Sequence, residues 1–431
     1  MAADSIGVGL LGLGVVGSGV ARILLERAST YEERIGVPLV LRRALVREPD
    51  KDRGLELPAD MVVTDPRLIL EDDSINIVVE VMGGLTPAYD LLAEALTRRK
   101  FVVTANKEVM ATHGSELLGI AQRSGVDLLF EASVGGGIPL IAPLKRDLLA
   151  NEITGLSAII NGTTNYILTR MSAEGITLDD ALSQAQMLGY AEPDPSYDIE
   201  GTDAAFKLAI MAGLAFRSEV PPEKVYREGI GRLTPRDFKY AAELGYAIKL
   251  LAVCGRDGGV IRARVHPALL PTDELLAKVD GVYNAVQIDG DLTGKVLFQG
   301  QGAGSLPTTS AVVADIIDCA HDIALGVAQQ PQWRISANAE VGGMDDLETR
   351  YYIRLTVADR PGVFAEIATQ LGNNMISIAS VIQKEADETA QSAEIVIMTH
   401  RAREAALRCA IEDLSALDCV FDVGNYIRVE G

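Results

Sequence analysis

The apolar run Ile6–Leu11 leads directly into Gly12-Leu-Gly14-Val-Val-Gly17 and then into an amphipathic stretch reaching Glu26. Strand, GxGxxG, helix is the context that lifts this pattern above chance. The first glycine permits the tight turn, the second lets a pyrophosphate approach the backbone, and the third lets helix and strand pack closely. The phosphates of a dinucleotide would sit on the free N–H groups at the helix start. Gly12, Gly14, Val15, Val16 and Gly17 are therefore candidate cofactor contacts. A signal peptide is the competing reading of Ile6 to Ala21, which carries no charge. No basic region precedes it, however, and its six glycines suit a phosphate turn better than a membrane helix.

The alternation continues with Leu39–Val46, Ile77–Val81 and Phe101–Thr104 as strands and helical stretches between them, the rhythm of a doubly wound α/β sheet. Ligands bind outside the carboxyl ends of such strands, which makes Gly83 and Gly84 a cofactor wall. The second strand ends in Arg47-Glu48. The arginine favours a 2′-phosphate and hence NADP, while Glu48 beside it keeps NAD open. Thr104-Ala-Asn-Lys107 closes the next strand on the same side, so Thr104 and Lys107 are candidate cofactor contacts. Lys107 also has the plain reading of a solvated charge.

Length and composition bound the rest. A chain of 431 residues implies two or three domains. The formal net charge of −21 argues against nucleic acid or an anionic membrane as partner. Four cysteines without CxxC spacing read as reduced thiols in the cytoplasm. Four scattered histidines offer no triad or metal cluster.

Phe130-Glu131-Ala-Ser133-Val134-Gly135-Gly136-Gly137-Ile138-Pro139 is glycine-rich without being a second GxGxxG. With Glu131 its exposed carbonyls make an oxygen cage for a hard cation, or else the stretch is a hinge. Asn161-Gly-Thr-Thr-Asn165 opens a helix with good capping residues. Residues 191–207, AEPDPSYDIEGTDAAFK, crowd five acids ahead of one lysine. An EF-hand fails here: with Gly201 at position 6, Lys207 stands where the bidentate glutamate belongs. A helix from Thr202 to Phe216 fits the apolar spacing and puts Asp203 and Lys207, i and i+4, on one face. Acids beside a lysine suit an ammonium-bearing substrate with the lysine as proton donor, although a surface ion pair would look the same.

Taken together, GLGVVG at 12–17, TANK at 104–107, FEASVGGGIP at 130–139, NGTTNYIL at 161–168, the acid-rich 191–207 and Gly300-Gln-Gly302-Ala-Gly304 resemble homoserine dehydrogenase of the monofunctional, regulated type. The resemblance covers essentially the whole chain. It implies NAD(P)H-dependent reduction of L-aspartate 4-semialdehyde to L-homoserine. Lys207 is implied as the acid–base lysine and Lys107 as the second lysine at the reacting oxygen. Glu192, Asp203 and Asp198 are implied as substrate-holding acids, with Gly189 and Gly302 as further cofactor contacts. Glu131 with backbone oxygens of Val134, Gly136 and Ile138 is implied as a sodium site.

Beyond a polar stretch at 328–349, strands and helices read βαββαβ and resemble an ACT domain, with Asp359-Arg360-Pro361-Gly362 as its ligand-side turn. The expected organisation is α/β throughout. A Rossmann-like dinucleotide domain covers 1–145, with 300–327 packing back on it, and an α+β substrate and dimerisation domain covers 146–299. A linker at 328–349 then leads to the ACT domain at 350–431. The implied partners are the small-molecule substrate, L-threonine as effector and further copies of the chain, as homodimer or homotetramer. Two other readings stand beside this one. A non-catalytic amino-acid sensor would have no reason to keep both Lys107 and Lys207. Another NADP-dependent aldehyde or imine reductase, of the dihydrodipicolinate-reductase kind, would not require the pattern from Glu192 to Lys207.

Overall fold

The computed structural model describes residues 5–58, 60–327, 339–387 and 391–431. Positions 328–338 of the expected linker lie outside the described residues. The chain forms two compact units, Met1–Leu156 with Phe206–Glu223 and Asn284–Ala339, and Ser157–Ala205 with Lys224–Tyr283 and Glu340–Gly431.

In the first unit six strands run Val62–Val63, Leu39–Leu45, Ile6–Leu11, Ile77–Glu80, Phe101–Thr104, Leu128–Leu129 across one sheet, and every neighbouring pair is parallel. In chain order this is 3-2-1-4-5-6, the doubly wound order whose switch point lies between the first and fourth strands. All six residues of Ile6–Leu11 are buried, as a strand covered on both faces requires. The helix Ser305–Leu325 belongs to the same core: Ala311, Val312, Ile316 and Cys319 pack in one cluster with Val8, Leu10 and Val20. Pro307 falls in its first turn, where a missing N–H removes no helical bond.

The second unit carries a long antiparallel hairpin, Tyr246–Asp257 with Val260–Pro271. The strand Val420–Val429 pairs parallel with that hairpin through Ala268 and Leu269. The sheet continues through Glu348–Ala358 and Ser392–Thr399 to Ile378–Asp387. Helices Val363–Asn373 and Glu404–Ser415 cover these strands and bury Ile367, Leu371, Leu407 and Leu414 in a core of their own. The helix begins at Glu404 because Ala402 and Arg403 pair as a short strand with Thr349 and Glu348.

Buried ion pairs tie the βαββαβ module to the hairpin region. The Arg354 guanidinium donates from Nε to Asp237 at 2.8 Å and from Nη1 to Glu394 at 3.4 Å. The Arg428 guanidinium bonds Glu404 through Nε at 2.9 Å and Glu228 through Nη1 at 2.7 Å. Glu430 accepts from Arg264 at 2.6 Å and lies 3.4 Å from His266. No described helix is long and apolar enough to cross a membrane.

Candidate active site

The glycine motif takes its shape for a physical reason at each position. Gly12 has φ of 106°, open to glycine at no cost. A Cβ on Gly17 would fall 2.2 Å from the Gly12 carbonyl oxygen, so the turn closes only without one. Nothing lies within 4 Å of the space a Cβ on Gly14 would fill, which leaves the backbone open to an approaching anion. The helix Val15–Glu26 then starts with no side-chain cap, and its first N–H groups have no side-chain acceptor there. Val15 is 74% exposed beside this opening.

Arg53 holds the turn from behind, donating to the carbonyls of Leu13 at 3.1 Å, Glu48 at 2.7 Å and Lys51 at 2.7 Å. Arg47 follows the second strand as an exposed residue, with Glu48 exposed beside it. Sequence reasoning gave no role to Arg53, because nothing local distinguishes it from neighbouring charges.

Glu80 is the second residue it missed. This carboxylate ends the fourth strand fully buried and accepts from Met82 N at 2.8 Å, Gly83 N at 3.1 Å and Thr104 Oγ1 at 2.6 Å. Burial outweighs these bonds and pushes its carboxyl above the usual range. Asn106 donates to the Gly84 carbonyl at 2.7 Å while capping the helix Lys107–Ser124 through Val109 N. Glu80 thereby fixes the Gly83–Gly84 loop. The Thr104 hydroxyl is used inside this network, and Lys107 emerges half-buried at the first position of the helix.

The loop after the last strand of this sheet is organised by Glu131. Its Oε1 accepts from Leu140 N at 2.5 Å and Ile141 N at 2.8 Å, and Oε2 from Ala142 N at 2.7 Å. Val134, Gly136 and Ile138 are buried around it, and Gly135 and Gly136 have left-handed φ. Among the described residues no group of three or more His, Cys, Asp or Glu side chains could hold a metal. A cation here would depend on Glu131 and backbone oxygens. Oε2, with one N–H bond, keeps a lone pair for such an ion.

In the second unit Asn161 gathers the acids. Its Oδ1 caps the helix Gly162–Glu174 by accepting from Thr164 N at 2.8 Å. Its Nδ2 donates to Asp198 at 2.6 Å and to Asp203 at 2.9 Å. One carboxamide therefore both starts a helix and holds two of the three predicted substrate acids together. Glu192 is exposed on the adjoining turn, and Gly189, at φ of 74°, ends the preceding helix. Asp194 only turns the chain, accepting from Ser196 N and Oγ, which lowers its pKa. Asp203 opens the helix Thr202–Phe216, and Lys207 lies half-buried one turn further on.

The Asp359–Gly362 turn is exposed. Arg360 reaches Glu366 at 3.3 Å, and Gly362, at φ of 96°, precedes the helix Val363–Asn373.

A doubly wound sheet with a glycine turn after its first strand, together with a C-terminal βαββαβ module, is the architecture of a nicotinamide-dinucleotide oxidoreductase with an ACT domain. Family models named homoserine dehydrogenase, NAD binding domain, homoserine dehydrogenase and ACT domain match residues 12–131, 139–317 and 351–419. A homoserine dehydrogenase of Synechocystis sp. is 43% identical, covering 99% of this chain and 99% of that protein. One from Mycobacterium tuberculosis H37Rv is 44% identical over 99% and 98%. The crystal structure of a homoserine dehydrogenase from Thiobacillus denitrificans superposes with TM-score 0.92 at 43% identity, covering 99% of this chain and 98% of that one. A hyperthermophilic archaeal homoserine dehydrogenase in complex with NADPH matches 77% of this chain and 100% of its own, with TM-score 0.64 and 29% identity. The chain belongs to the homoserine dehydrogenase family.

Proposed function

We propose that the chain reduces L-aspartate 4-semialdehyde to L-homoserine with NADPH. The observation that carries this reading is the grip of Asn161 on Asp198 and Asp203, placed where the helix bearing Lys207 begins. Two acids held together suit a substrate ammonium, and exposed Glu192 adds a third. The cofactor, when bound, supplies a hydride to the carbonyl carbon of the aldehyde. Lys207 gives its proton to the alkoxide oxygen that forms, and Lys107 stabilises the charge developing on the same oxygen. Hydride and proton together convert the aldehyde to a primary alcohol, and Lys207 recovers its proton from water.

The Arg47 side chain after the second strand supports NADP over NAD, and the NADPH complex of the archaeal relative agrees with it. Glu131 with the backbone oxygens of Val134, Gly136 and Ile138 is the site we propose for sodium, supported by their shared burial. The ACT module supports control by an amino acid. L-Threonine is the effector we propose, taken up at the Asp359–Gly362 turn in a cytoplasmic homodimer or homotetramer.

The test is NADPH oxidation with aspartate semialdehyde by wild type and Lys207→Ala. A fall in kcat of roughly 10²- to 10⁴-fold is expected for loss of the proton donor. Undiminished turnover in the variant refutes the assignment.

A further inference from the structure

Asn284, in the first unit, is 1% exposed, and neither its amide nitrogen nor its carbonyl oxygen has a hydrogen-bond partner among the described residues. A buried carboxamide is ordinarily fully bonded, because each unmet donor or acceptor forfeits its hydration. The side chain lies on the Cα of Gly302: a Cβ there would stand 1.8 Å from the amide nitrogen and 2.1 Å from Cγ. No other residue at 302 leaves Asn284 in place.

The turn above Asn284 joins two parts of the candidate cofactor site. At one end it rests on the Glu131 loop, where a Cβ on Gly136 would fall 2.5 Å from the Gly302 oxygen and Gly137 N donates to Gln301 at 3.2 Å. At the other, Ser305 Oγ donates to the Val15 carbonyl at 3.4 Å, in the first turn of the glycine-motif helix. Residues 301–305 thus run from the loop after the sixth strand to the glycine motif. In a 3-2-1-4-5-6 sheet that path passes the half formed by the fourth to sixth strands, opposite the half that takes the adenosine.

We propose that Asn284 is a positioning residue for the dinucleotide. It acts through the glycine turn: its carboxamide is the polar floor on which the backbone of 300–304 settles when that turn holds the cofactor. A donor and an acceptor on one rigid side chain can take up a carbonyl and an N–H of the turn together, which no apolar residue of that size can do. The unmet bonds are then completed in the cofactor-bound arrangement, and their completion adds to cofactor affinity.

The inference rests on the dinucleotide reading, and one experiment separates the two. NADPH binding is followed by cofactor fluorescence, and stability without cofactor by urea unfolding, on the full chain and on Asn284→Leu, which keeps the branched shape and removes both polar atoms. The expected result is NADPH binding weaker by roughly 10- to 100-fold, the scale of one or two hydrogen bonds, with KM for NADPH changing more than kcat. The urea midpoint is expected to stay level or rise. A structural asparagine would give the opposite pair, lower stability with NADPH affinity within twofold of wild type, and that outcome overturns the proposal. Should Asn284→Leu not fold, Asn284→Ser takes its place, and an affinity within twofold again overturns it. If wild type itself binds no NADPH, the cofactor reading fails, and this inference with it.

Discussion

Replacing Arg354 by methionine tests what fastens the ACT module to the hairpin region of the second unit. Arg354 is almost fully buried and faces Asp237, which is fully buried, and Glu394, which is nearly so. The methionine fills much of the same volume and leaves two carboxylates without their shared cation. Removing one partner of a buried pair costs about 3–5 kcal/mol, because the remaining charge has lost its compensation. The neighbours soften that loss. Glu394 keeps Arg236 at 2.7 Å, and Asp237 keeps Thr234 N and Oγ1, both at 2.9 Å, with Asn425 at 3.3 Å. The lower end, about 3 kcal/mol, is therefore expected. Urea unfolding followed by far-ultraviolet circular dichroism reads it as a lower midpoint. Adding Asp237→Asn to the variant removes the orphaned charge, so the double variant should lose less than the sum of the two single losses, by at least about 1 kcal/mol. Additive losses, or an Arg354→Met midpoint equal to wild type, would show that these charges do not fasten the module.

Two further outcomes follow from named charges. Burial acts to raise the Glu430 pKa, but Arg264 and His266 prevail and hold it at about 2, against 4.5 for a free glutamate. A depressed carboxylate contributes stability above its unfolded pKa and loses it as pH falls through the folded one. Stability should therefore decline between about pH 5 and pH 2 by on the order of 3 kcal/mol from this group, and Glu430→Gln should flatten that slope in acid unfolding curves. Arg47→Ser should raise KM for NADPH several-fold more than KM for NADH if the exposed guanidinium meets the 2′-phosphate. Equal changes for both cofactors would remove Arg47 from cofactor choice.

The nucleotide half was legible because its signals are local. GxGxxG between a strand and a helix states its geometry in 12 residues or so, and the doubly wound, parallel character of the sheet follows from the alternation of strands with helices, although the order of the strands does not. The acid-rich segment gave up its helix and the shared face of Asp203 and Lys207 for the same reason. Asn161 was legible only as a cap, because its second task depends on acids 37 and 42 positions away. Glu80 looked like any strand-terminal charge, since its donors come from the Met82–Gly83 loop and from Thr104 on the neighbouring strand. Arg354 and Asp237 lie 117 positions apart, and no periodicity links them. The long hairpin at 246–271 carried a turn signal in Gly258-Gly259, yet its pairing with Val420–Val429 is a fact of tertiary assembly alone.

That pairing sets an order of events at the ribosome. The strand Val260–Pro271 is synthesised roughly 150 positions before Val420 emerges. At about 5–20 residues per second, the interval is on the order of 8–30 s. Throughout it Ala268 and Leu269 have no neighbour on the side that Val420–Val429 will occupy, and an unpaired apolar strand edge is a template for other nascent chains. A ribosome that stalls inside the ACT segment would hold this edge open, so soluble yield should depend on translation speed through residues 350–430 more than on speed through the nucleotide half.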